Sequence, residues 1–264
     1  MSDWRSYDDV AEAYERVHAP RFATVARDVV AMASPPADGF VLDVGTGTGV
    51  AAEATADGAS RLVVGVDPAV EMLRIGHRVR PRVRFAAAQA IDLPFRNETF
   101  EVVTASFVLS HFARVETALF DILRVLRRGG RLAVSAWADR PDALQETWSE
   151  IIESVVPREM IEPAWAAVAP GHDRFSRREA IETTLIDAGL HHVRSETKEY
   201  RFEYSLDDWL AGQEAWTTGR FVRGMLDPDE WEAFRVRART VFHERFSDPL
   251  NDFKLAHLAV GTKT

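Results

Sequence analysis

A glycine-rich turn that directly follows a short apolar segment constrains the fold of this chain more than any other feature. Residues 41–49 read Val-Leu-Asp-Val-Gly-Thr-Gly-Thr-Gly. Glycine tolerates positive φ, so the backbone can turn sharply and approach a ligand closely. A helix that begins after such a turn presents free N–H groups to that ligand. The sequence therefore predicts a buried strand at 40–44, a ligand-binding turn, and a helix at 50–56.

A carboxylate marks the end of the next predicted strand. Residues 63–67 read Val-Val-Gly-Val-Asp, which places Asp67 22 residues after Gly45. A carboxylate at this point of a βαβ unit can accept hydrogen bonds from the ribose hydroxyls of an adenosine ligand. Alternatively, Asp67 caps the helix that follows. The glycine turn favours ribose binding, which both NAD and S-adenosylmethionine would satisfy.

Two details distinguish these cofactors. The glycine spacing is G-x-G-x-G, whereas dinucleotide-binding turns follow G-x-G-x-x-G, whose third glycine would fall on Val50. Asp43 lies two residues before the first glycine, where its charge would repel a pyrophosphate and attract an amino group or a sulfonium. The residues therefore favour a ligand with a cationic amino-acid end.

Short apolar segments alternate with amphipathic ones, which predicts an α/β fold. We expect a Rossmann-like, seven-stranded, mostly parallel sheet with helices on both faces, plus a helical lid. Residues 1–139 should form an N-terminal helical lid and the cofactor-binding core, 140–176 an inserted helical cap, and 177–264 the rest of the sheet with a second helical insertion at about 205–250. Strands are expected at 40–44, 61–66, 83–87, 100–105, 132–136, 193–204 and 255–262. Helices are expected at 7–29, 50–56, 115–127, 142–156, 177–188, 206–216 and 229–246. Prolines at 157, 163 and 170 should interrupt the segment between the helices at 142–156 and 177–188.

The composition excludes several kinds of chemistry. The 264 residues include no cysteine, so disulfides, iron–sulfur clusters and cysteine nucleophiles are impossible. The net charge of −9 argues against a broad nucleic-acid-binding surface. No apolar run approaches the length of a membrane-spanning helix, and no secretion signal is evident. We expect a cytoplasmic protein with no metal site, no nucleic-acid partner and no membrane insertion. The sequence does not indicate an oligomeric state.

Six motifs follow one another in the first half of the chain. They are Tyr-Asp-Asp-Val-Ala-Glu-Ala-Tyr at 7–14, the turn at 41–49, Val-Asp-Pro at 66–68, Leu-Pro-Phe at 93–95, Phe-Glu-Val-Val at 100–103 and Leu-Arg-Val-Leu-Arg-Arg-Gly-Gly-Arg-Leu at 123–132. With these motifs the chain resembles class I S-adenosylmethionine-dependent methyltransferases of the small-molecule branch that includes the ubiquinone and menaquinone biosynthesis enzymes (methyltransferase type 11). The resemblance covers roughly residues 5–139. It implies S-adenosylmethionine as cofactor and S-adenosylhomocysteine as product.

The resemblance also implies roles for individual residues. Gly45 and Gly47 would line the methionine end of the cofactor with Asp43 nearby, and Asp67 would bind the ribose. The remaining residues of the implied cofactor-binding set are Thr46 and Pro68 in the two turns, Met72 against the adenine, Gln89 and Ala90 at the adenine edge, Ser106 at the amino-acid end, and Tyr14 in a helix that closes over the cofactor.

Two of these positions have an alternative interpretation. Gln89 replaces the aspartate that the resembled family usually has at the adenine edge. Its amide oxygen can still accept a hydrogen bond from an amino group, although Gln89 could instead be an exposed loop residue. Tyr14 could be a core residue of an amphipathic helix rather than part of a cofactor lid.

His111, after the fourth predicted strand, is the candidate catalytic residue. In the resembled family this position points toward the reaction centre, and a histidine pKa near 6.5 suits a general base. A histidine here can also merely pack or form a structural hydrogen bond. Methyl transfer itself needs mainly an aligned acceptor, so the sequence does not require a catalytic residue.

The acceptor is predicted to be a small molecule. The segment after the fourth strand reads Ala-Ser-Phe-Val at 105–108, without the Asn/Asp-Pro-Pro-aromatic motif of amino-group DNA methyltransferases. Tryptophans concentrated in the two insertions could line a pocket for an apolar or aromatic acceptor, or could form the core of the lid. Two alternatives stay open: a methyltransferase acting on RNA or protein, and a protein that keeps the cofactor-binding fold without methyl transfer.

Overall fold

A seven-stranded sheet forms the centre of the protein. The structure, a computed structural model, describes residues 6–58, 60–140 and 142–264. Its strands are β1 (Phe40–Val44), β2 (Leu62–Asp67), β3 (Arg84–Ala87), β4 (Phe100–Ser106), β5 (Leu126–Trp137), β6 (Leu190–Tyr204) and β7 (Leu250–Lys263). The order is β3-β2-β1-β4-β5-β7-β6, in which β1 to β5 pair in parallel and β7 runs antiparallel to β5 and β6. The predicted fold class is confirmed.

Helices cover both faces of the sheet and continue into the two insertions. They are α1 (Ala11–Ala13), α2 (Ala19–Ala33), α3 (Val50–Ala56), α4 (Val70–Val79), α5 (Val115–Val125), α6 (Ala143–Glu153), α7 (Arg158–Val168), α8 (His172–Phe175), α9 (Arg178–Asp187), α10 (Leu206–Ala215), α11 (Thr217–Met225) and α12 (Pro228–Arg245). Two 3₁₀ turns (Asp8–Val10 and Leu109–His111) and a π-helical segment (Tyr14–His18) complete the helical structure of the described residues.

The side chains of β1 show why both faces of the sheet are covered. Val41 packs in one cluster with Val25 of α2, whereas its neighbour Leu42 packs in another with Leu119 of α5. All four side chains are at most 1% exposed. Successive strand residues point to opposite faces, and parallel strands in α/β folds are typically apolar on both. The continuous apolar segment at 40–44 therefore specifies a strand between two helical layers.

The order of the strands reverses between β1 and β4. The chain adds β2 and β3 on one side of β1, then crosses to place β4 and β5 on the other side. In open α/β sheets a crevice for ligands forms at the carboxyl ends of the strands at such a switch point. The turn at 45–49 follows β1 and Ser106 ends β4, so both lie beside this crevice.

The two insertions share one hydrophobic core. Trp148 of α6 contacts Trp209 of α10 and Phe234 of α12, with ring centroids 6.2 and 5.6 Å apart. These three side chains are at most 3% exposed. Segments that lie far apart in the sequence therefore pack into one helical unit, which we call the lid (α6, α7, α10, α11 and α12).

The N-terminal segment differs from the continuous helix predicted over 7–29. A 3₁₀ turn and the short α1 precede the π-helical segment Tyr14–His18, and a regular helix begins at Ala19. Pro20 has no N–H to donate to the carbonyl four residues earlier. A wider π turn before Pro20 is consistent with this missing hydrogen bond.

The predicted interruptions are present around Pro157 and Pro170, where residues 154–157 and 169–171 are not helical, but the one predicted at Pro163 is wrong. Pro157 is the N-cap of α7, where an N–H has no intrahelical acceptor, and α7 continues through Pro163. Helix α11 was not predicted. Strand β7 begins at Leu250, earlier than expected, because it pairs with β6 along its whole length.

Candidate functional site

One cavity of about 880 Å³ opens at the carboxyl ends of the central strands. Residues at the ends of four strands line it: Gly45 after β1, Asp67 in β2, Ser106 in β4 and Trp137 in β5. Ten of the twelve predicted site residues lie on its wall, and the two that do not are Asp43 and Thr46. The cavity occupies the crevice at which the strand order reverses, and its volume is typical of small-molecule sites.

The turn after β1 depends on its glycines. Gly45 and Gly47 have φ angles of +67° and +54°. A Cβ atom on Gly45 would lie 2.3 Å from Cγ2 of Val108, so the segment after β4 packs directly on the turn. A Cβ atom on Gly47 would lie 3.9 Å from the ring of Tyr14. The backbone of Gly47 therefore faces the cavity, with Tyr14 across from it.

Asp67 connects this turn with the start of α4. Its Oδ2 accepts a hydrogen bond from the Gly47 N–H, and its Oδ1 accepts one from the Ala69 N–H, both at 2.9 Å. Burial raises the pKa of this carboxyl group, and the two N–H donors oppose that rise. Each carboxylate oxygen has two lone pairs, so the side chain can brace the backbone and still accept hydrogen bonds from a ligand.

Asp43 and Thr46 lie beneath the turn. The hydroxyl groups of Thr46 and Thr104 each donate to the Asp43 carboxylate over 2.6 Å. The side chain of Asp43 is 2% exposed, and burial raises its pKa to about 6 although both hydroxyls lower it. Asp43 is predicted near the methionine end of a cofactor, and in the structure its carboxylate also holds the turn by accepting hydrogen bonds from Thr46 and Thr104.

The wall beyond Asp67 is formed by the start of α4 and the loop after β3. Met72 is 2% exposed and packs with Ile75. Pro68, Gln89 and Ala90 complete this part of the wall. Gln89 is exposed to solvent, as expected of a loop residue, and it also borders the cavity, as expected of a ligand-binding residue.

Tyr14 covers the glycine turn from the N-terminal segment. Its ring stacks on Phe22 with centroids 5.7 Å apart and meets Tyr7 edge-on at 6.3 Å. Burial raises the pKa of its hydroxyl group. Tyr14 is therefore both a packed core residue and part of the cavity wall.

Three rings form a second part of the wall, which we call the aromatic wall (Phe22, Phe107 and Trp137). Phe107 stacks on Trp137 at a centroid distance of 4.1 Å and lies 5.0 Å from Phe22. Its φ of +57° is unusual for a bulky residue. The Phe107 N–H donates to the Ser135 carbonyl at 2.9 Å, which helps hold this conformation. Strained conformations of this kind concentrate at functional sites.

Ser106 and His111 lie on either side of Phe107 in the sequence. The hydroxyl oxygens of Ser106 and Ser135 are 2.7 Å apart. Nδ1 of His111 is 2.9 Å from the carbonyl oxygen of Val168, at the end of α7. Since a carbonyl can only accept, Nδ1 carries the proton and the neutral ring has its lone pair on Nε2. Burial lowers the pKa of His111, and the Val168 hydrogen bond opposes this shift.

Several wall residues were not predicted from the sequence. His18 Nε2 lies 3.1 Å from the Gly212 carbonyl, and burial lowers the pKa of His18 to about 3. Arg21 and Lys254 add positive charge to the wall. Trp137 could have been found, because it follows the fifth predicted strand at the carboxyl edge. No local pattern marks Arg21 or Lys254, which meet only in the fold.

The tryptophans of the insertions divide between two roles. Trp165 and Trp216 line the cavity, whereas Trp148 and Trp209 belong to the core of the lid.

Among the residues described here, no helix has the length and apolar character to cross a membrane. The same residues hold no group of three or more His, Asp or Glu side chains arranged as metal ligands.

Comparison with known proteins identifies the central part of the chain. Residues 42–134 match the family described as "Methyltransferase domain". The demethylmenaquinone methyltransferase of Renibacterium salmoninarum is 42% identical over 98 residues, which are 37% of this chain and 41% of that protein. The chain therefore spans less than half the length of this relative.

Solved structures share the fold over most of the chain. YcgJ of Bacillus subtilis has a TM-score of 0.57 at 20% identity and covers 91% of this chain and 98% of its own. Phosphoethanolamine N-methyltransferase 2 of Haemonchus contortus, in complex with S-adenosyl-L-methionine, has a TM-score of 0.56 at 17% identity over 97% of this chain and 57% of its own. Residues 42–134 thus match a methyltransferase domain, and the chain resembles the class I S-adenosylmethionine-dependent methyltransferases of quinone biosynthesis.

Proposed function

We propose that the chain transfers a methyl group from S-adenosylmethionine to a small-molecule acceptor with an apolar or aromatic body. One observation carries the proposal: a single cavity of about 880 Å³ brings together the glycine turn, Asp67, the aromatic wall and His111. The similarity to a demethylmenaquinone methyltransferase over 98 residues favours a quinone-like acceptor.

The wall residues fit this cofactor. The turn at Gly45 and Gly47 leaves room for a ligand against its backbone, since a Cβ on Gly47 would have no contact closer than 3.9 Å. Asp67 keeps lone pairs for the ribose hydroxyls, and Met72 offers an apolar surface for the adenine. Pro68, Gln89 and Ala90 would border the adenine, with Ser106 at the amino-acid end. Tyr14 would cover the cofactor, and Asp43 and Thr46 would act indirectly by holding the turn.

When bound, the sulfonium of the cofactor supplies an electrophilic methyl carbon together with its leaving group. The protein then has to orient the acceptor and exclude water, and proximity alone lowers the barrier by several kcal/mol. The aromatic wall would hold a flat acceptor, and the lid would cover it. His111, neutral and with its lone pair on Nε2, would take a proton from an acidic O–H, N–H or C–H group of the acceptor.

Calorimetric titration with S-adenosylhomocysteine, with NAD as the control, tests the cofactor assignment. We expect micromolar binding of S-adenosylhomocysteine and none of NAD. Binding of NAD, or of neither compound, would overturn the proposal and favour a protein that keeps the fold without methyl transfer.

The class of acceptor is tested separately, with S-adenosylmethionine labelled on its methyl group. We expect label in small aromatic molecules and a rate that changes little with salt. A steep loss of acceptor binding with rising salt would instead indicate RNA or another polyanion. The net charge of −9 argues against that outcome.

A further inference from the structure

Two cations converge at the edge of the aromatic wall. Nη2 of Arg21 lies 3.9 Å from Oδ2 of Asp252, and Nζ of Lys254 lies 3.3 Å from Oδ1 of the same residue. Lys254 also contacts Asp142 at 2.9 Å. The side chains of Arg21 and Lys254 are only 12% and 15% exposed, yet both line the cavity. Both cations are therefore largely buried, unlike those of an exposed surface ion pair. Burying these charges carries a desolvation cost.

The carboxylates of this cluster do not face the cavity. The side chain of Asp252 is 1% exposed and that of Asp142 is 9% exposed, and neither residue lies on the cavity wall. A ligand in the cavity therefore meets the two cations rather than their carboxylate partners. The neighbouring wall residues Asp139 and Arg140 are exposed and opposite in charge. Together they do not change the net positive charge that Arg21 and Lys254 present to a ligand.

Arg21 also has unused hydrogen-bonding capacity. Its Nε is buried, and no described residue accepts a hydrogen bond from it. The guanidinium carbon lies 5.5 Å from the centroid of Trp137 and 5.2 Å from that of Phe202. Arg21 therefore lies against Trp137, one of the three rings of the aromatic wall. Because this Nε is enclosed by protein, a ligand in the cavity would meet Arg21 through its other guanidinium nitrogens.

We propose that Arg21 and Lys254 select an aromatic acceptor that carries an anionic group, a carboxylate or an ionised phenol, at the edge of its ring. The ring rests on the aromatic wall, and the anion accepts hydrogen bonds from the guanidinium and the ammonium group. Charge-assisted hydrogen bonds of this kind are short and strong. The inference rests on the proposed function, because it names the substrate class of the same cavity.

The test compares probes that share one ring system. Naphthoate, its uncharged amide, a cationic naphthylmethylamine and an ionised nitronaphthol are titrated into the protein, with and without S-adenosylhomocysteine, and binding is followed by calorimetry. We expect naphthoate to bind about tenfold or more tightly than naphthamide. A stronger response to nitronaphthol than to naphthoate would identify the anion as a phenolate. Equal affinities of naphthoate and naphthamide, no binding of either, or preference for the amine would overturn the proposal.

Variants then connect the preference to the cluster. Lys254→Gln should reduce the ratio of naphthoate to naphthamide affinity to within about twofold, and Lys254→Arg should restore most of it. Lys198→Gln removes an exposed lysine that pairs with Asp28 at 2.7 Å and lies off the cavity wall, so the ratio should not change. A wild-type ratio in Lys254→Gln would contradict the assignment.

This inference and the proposed function can fail separately. The naphthoate preference is measured without methyl transfer, and also in protein free of S-adenosylhomocysteine. If the wild-type protein does not bind S-adenosylhomocysteine but still prefers naphthoate to naphthamide, the cofactor proposal is rejected and the anion preference stands. If Lys254→Gln does not fold, as judged by circular dichroism, the preference of the wild-type protein still decides the matter.

Discussion

The carboxylate of Asp67 accepts hydrogen bonds from the Gly47 N–H and the Ala69 N–H at equal distances of 2.9 Å. One side chain at the end of β2 thus fixes the turn after β1 and the backbone before α4. This explains how the end of one strand can control the shape of the turn after its neighbour. It also makes Asp67 the residue whose change should most directly affect cofactor binding.

Replacing Asp67 should weaken cofactor binding. In Asp67→Ala the ribose hydroxyls lose a charged acceptor and the Gly47 N–H loses its partner, so binding of S-adenosylhomocysteine should weaken by roughly 1–3 kcal/mol. Calorimetry on the folded variant measures this. Asp57→Ala, which removes an exposed carboxylate paired with Arg82, is the control and should bind normally. Unchanged affinity in folded Asp67→Ala would remove Asp67 from the site.

The turn also allows steric overlap to be separated from backbone strain. Gly45 and Gly129 have φ of +67° and +76°, but a Cβ on Gly45 would lie 2.3 Å from Val108, whereas a Cβ on Gly129 has nothing within 4 Å. Gly129→Ala should therefore cost about 1–2 kcal/mol of unfolding free energy from strain alone. Gly45→Ala should cost about 1–3 kcal/mol more. Urea unfolding measures both, and equal losses would show that the Val108 segment yields without cost.

The sequence alone predicts the part of the fold in which local signals agree. The predicted strand at 40–44 and helix at 50–56 coincide with β1 and α3, because an apolar segment, three glycines and a helix follow one another without a break. The boundaries of β5 and β7 could not be predicted in this way. Their ends are set by pairing with strands that are distant in the sequence.

The residues of the candidate site also differ in whether local sequence signals predict them. The residues after β1, β2 and β4 follow the ends of predicted strands, and the topology of an α/β sheet brings such ends together. The acceptor side was not predictable at the level of residues. Arg21 and Lys254 are separated by most of the chain and meet around Asp252 only because β7 lies next to β5 and α2 packs nearby.

His111 should be needed for turnover but not for cofactor binding. His111→Gln removes a group that can take a proton and should lower the rate about 100-fold, while S-adenosylhomocysteine binds normally. The rate is measured as S-adenosylhomocysteine release with an acceptor found by the labelling screen. Because burial lowers the pKa of His111, the wild-type rate should fall on acidification only below pH 6.5.

The control for this variant is His191→Gln, which changes an exposed histidine of β6 away from the cavity. It should keep the wild-type rate. A wild-type rate in His111→Gln would show that His111 only packs and bonds to Val168. The acceptor would then lose its proton without help from this side chain.

The buried His18 should make the protein less stable in acid. Burial, followed by Arg21, lowers the pKa of folded His18 to about 3, whereas an unfolded histidine has a pKa near 6.5. The unfolded chain therefore binds a proton over this range while the folded protein does not. This contribution to stability is complete above pH 6.5 and is lost as the pH falls toward 3, at a rate of at most about 1.4 kcal/mol per pH unit.

His18→Gln keeps a donor for the Gly212 carbonyl and removes the titration. Urea unfolding at pH 7, 6 and 5 should show a smaller loss of unfolding free energy with acidification in His18→Gln than in the wild-type protein, by about 1 kcal/mol per pH unit. His243→Gln, at an exposed position of α12, should follow the wild-type protein. If His18→Gln and the wild-type protein lose stability equally, His18 takes up its proton in the folded state, and its ring must then reach water through the cavity.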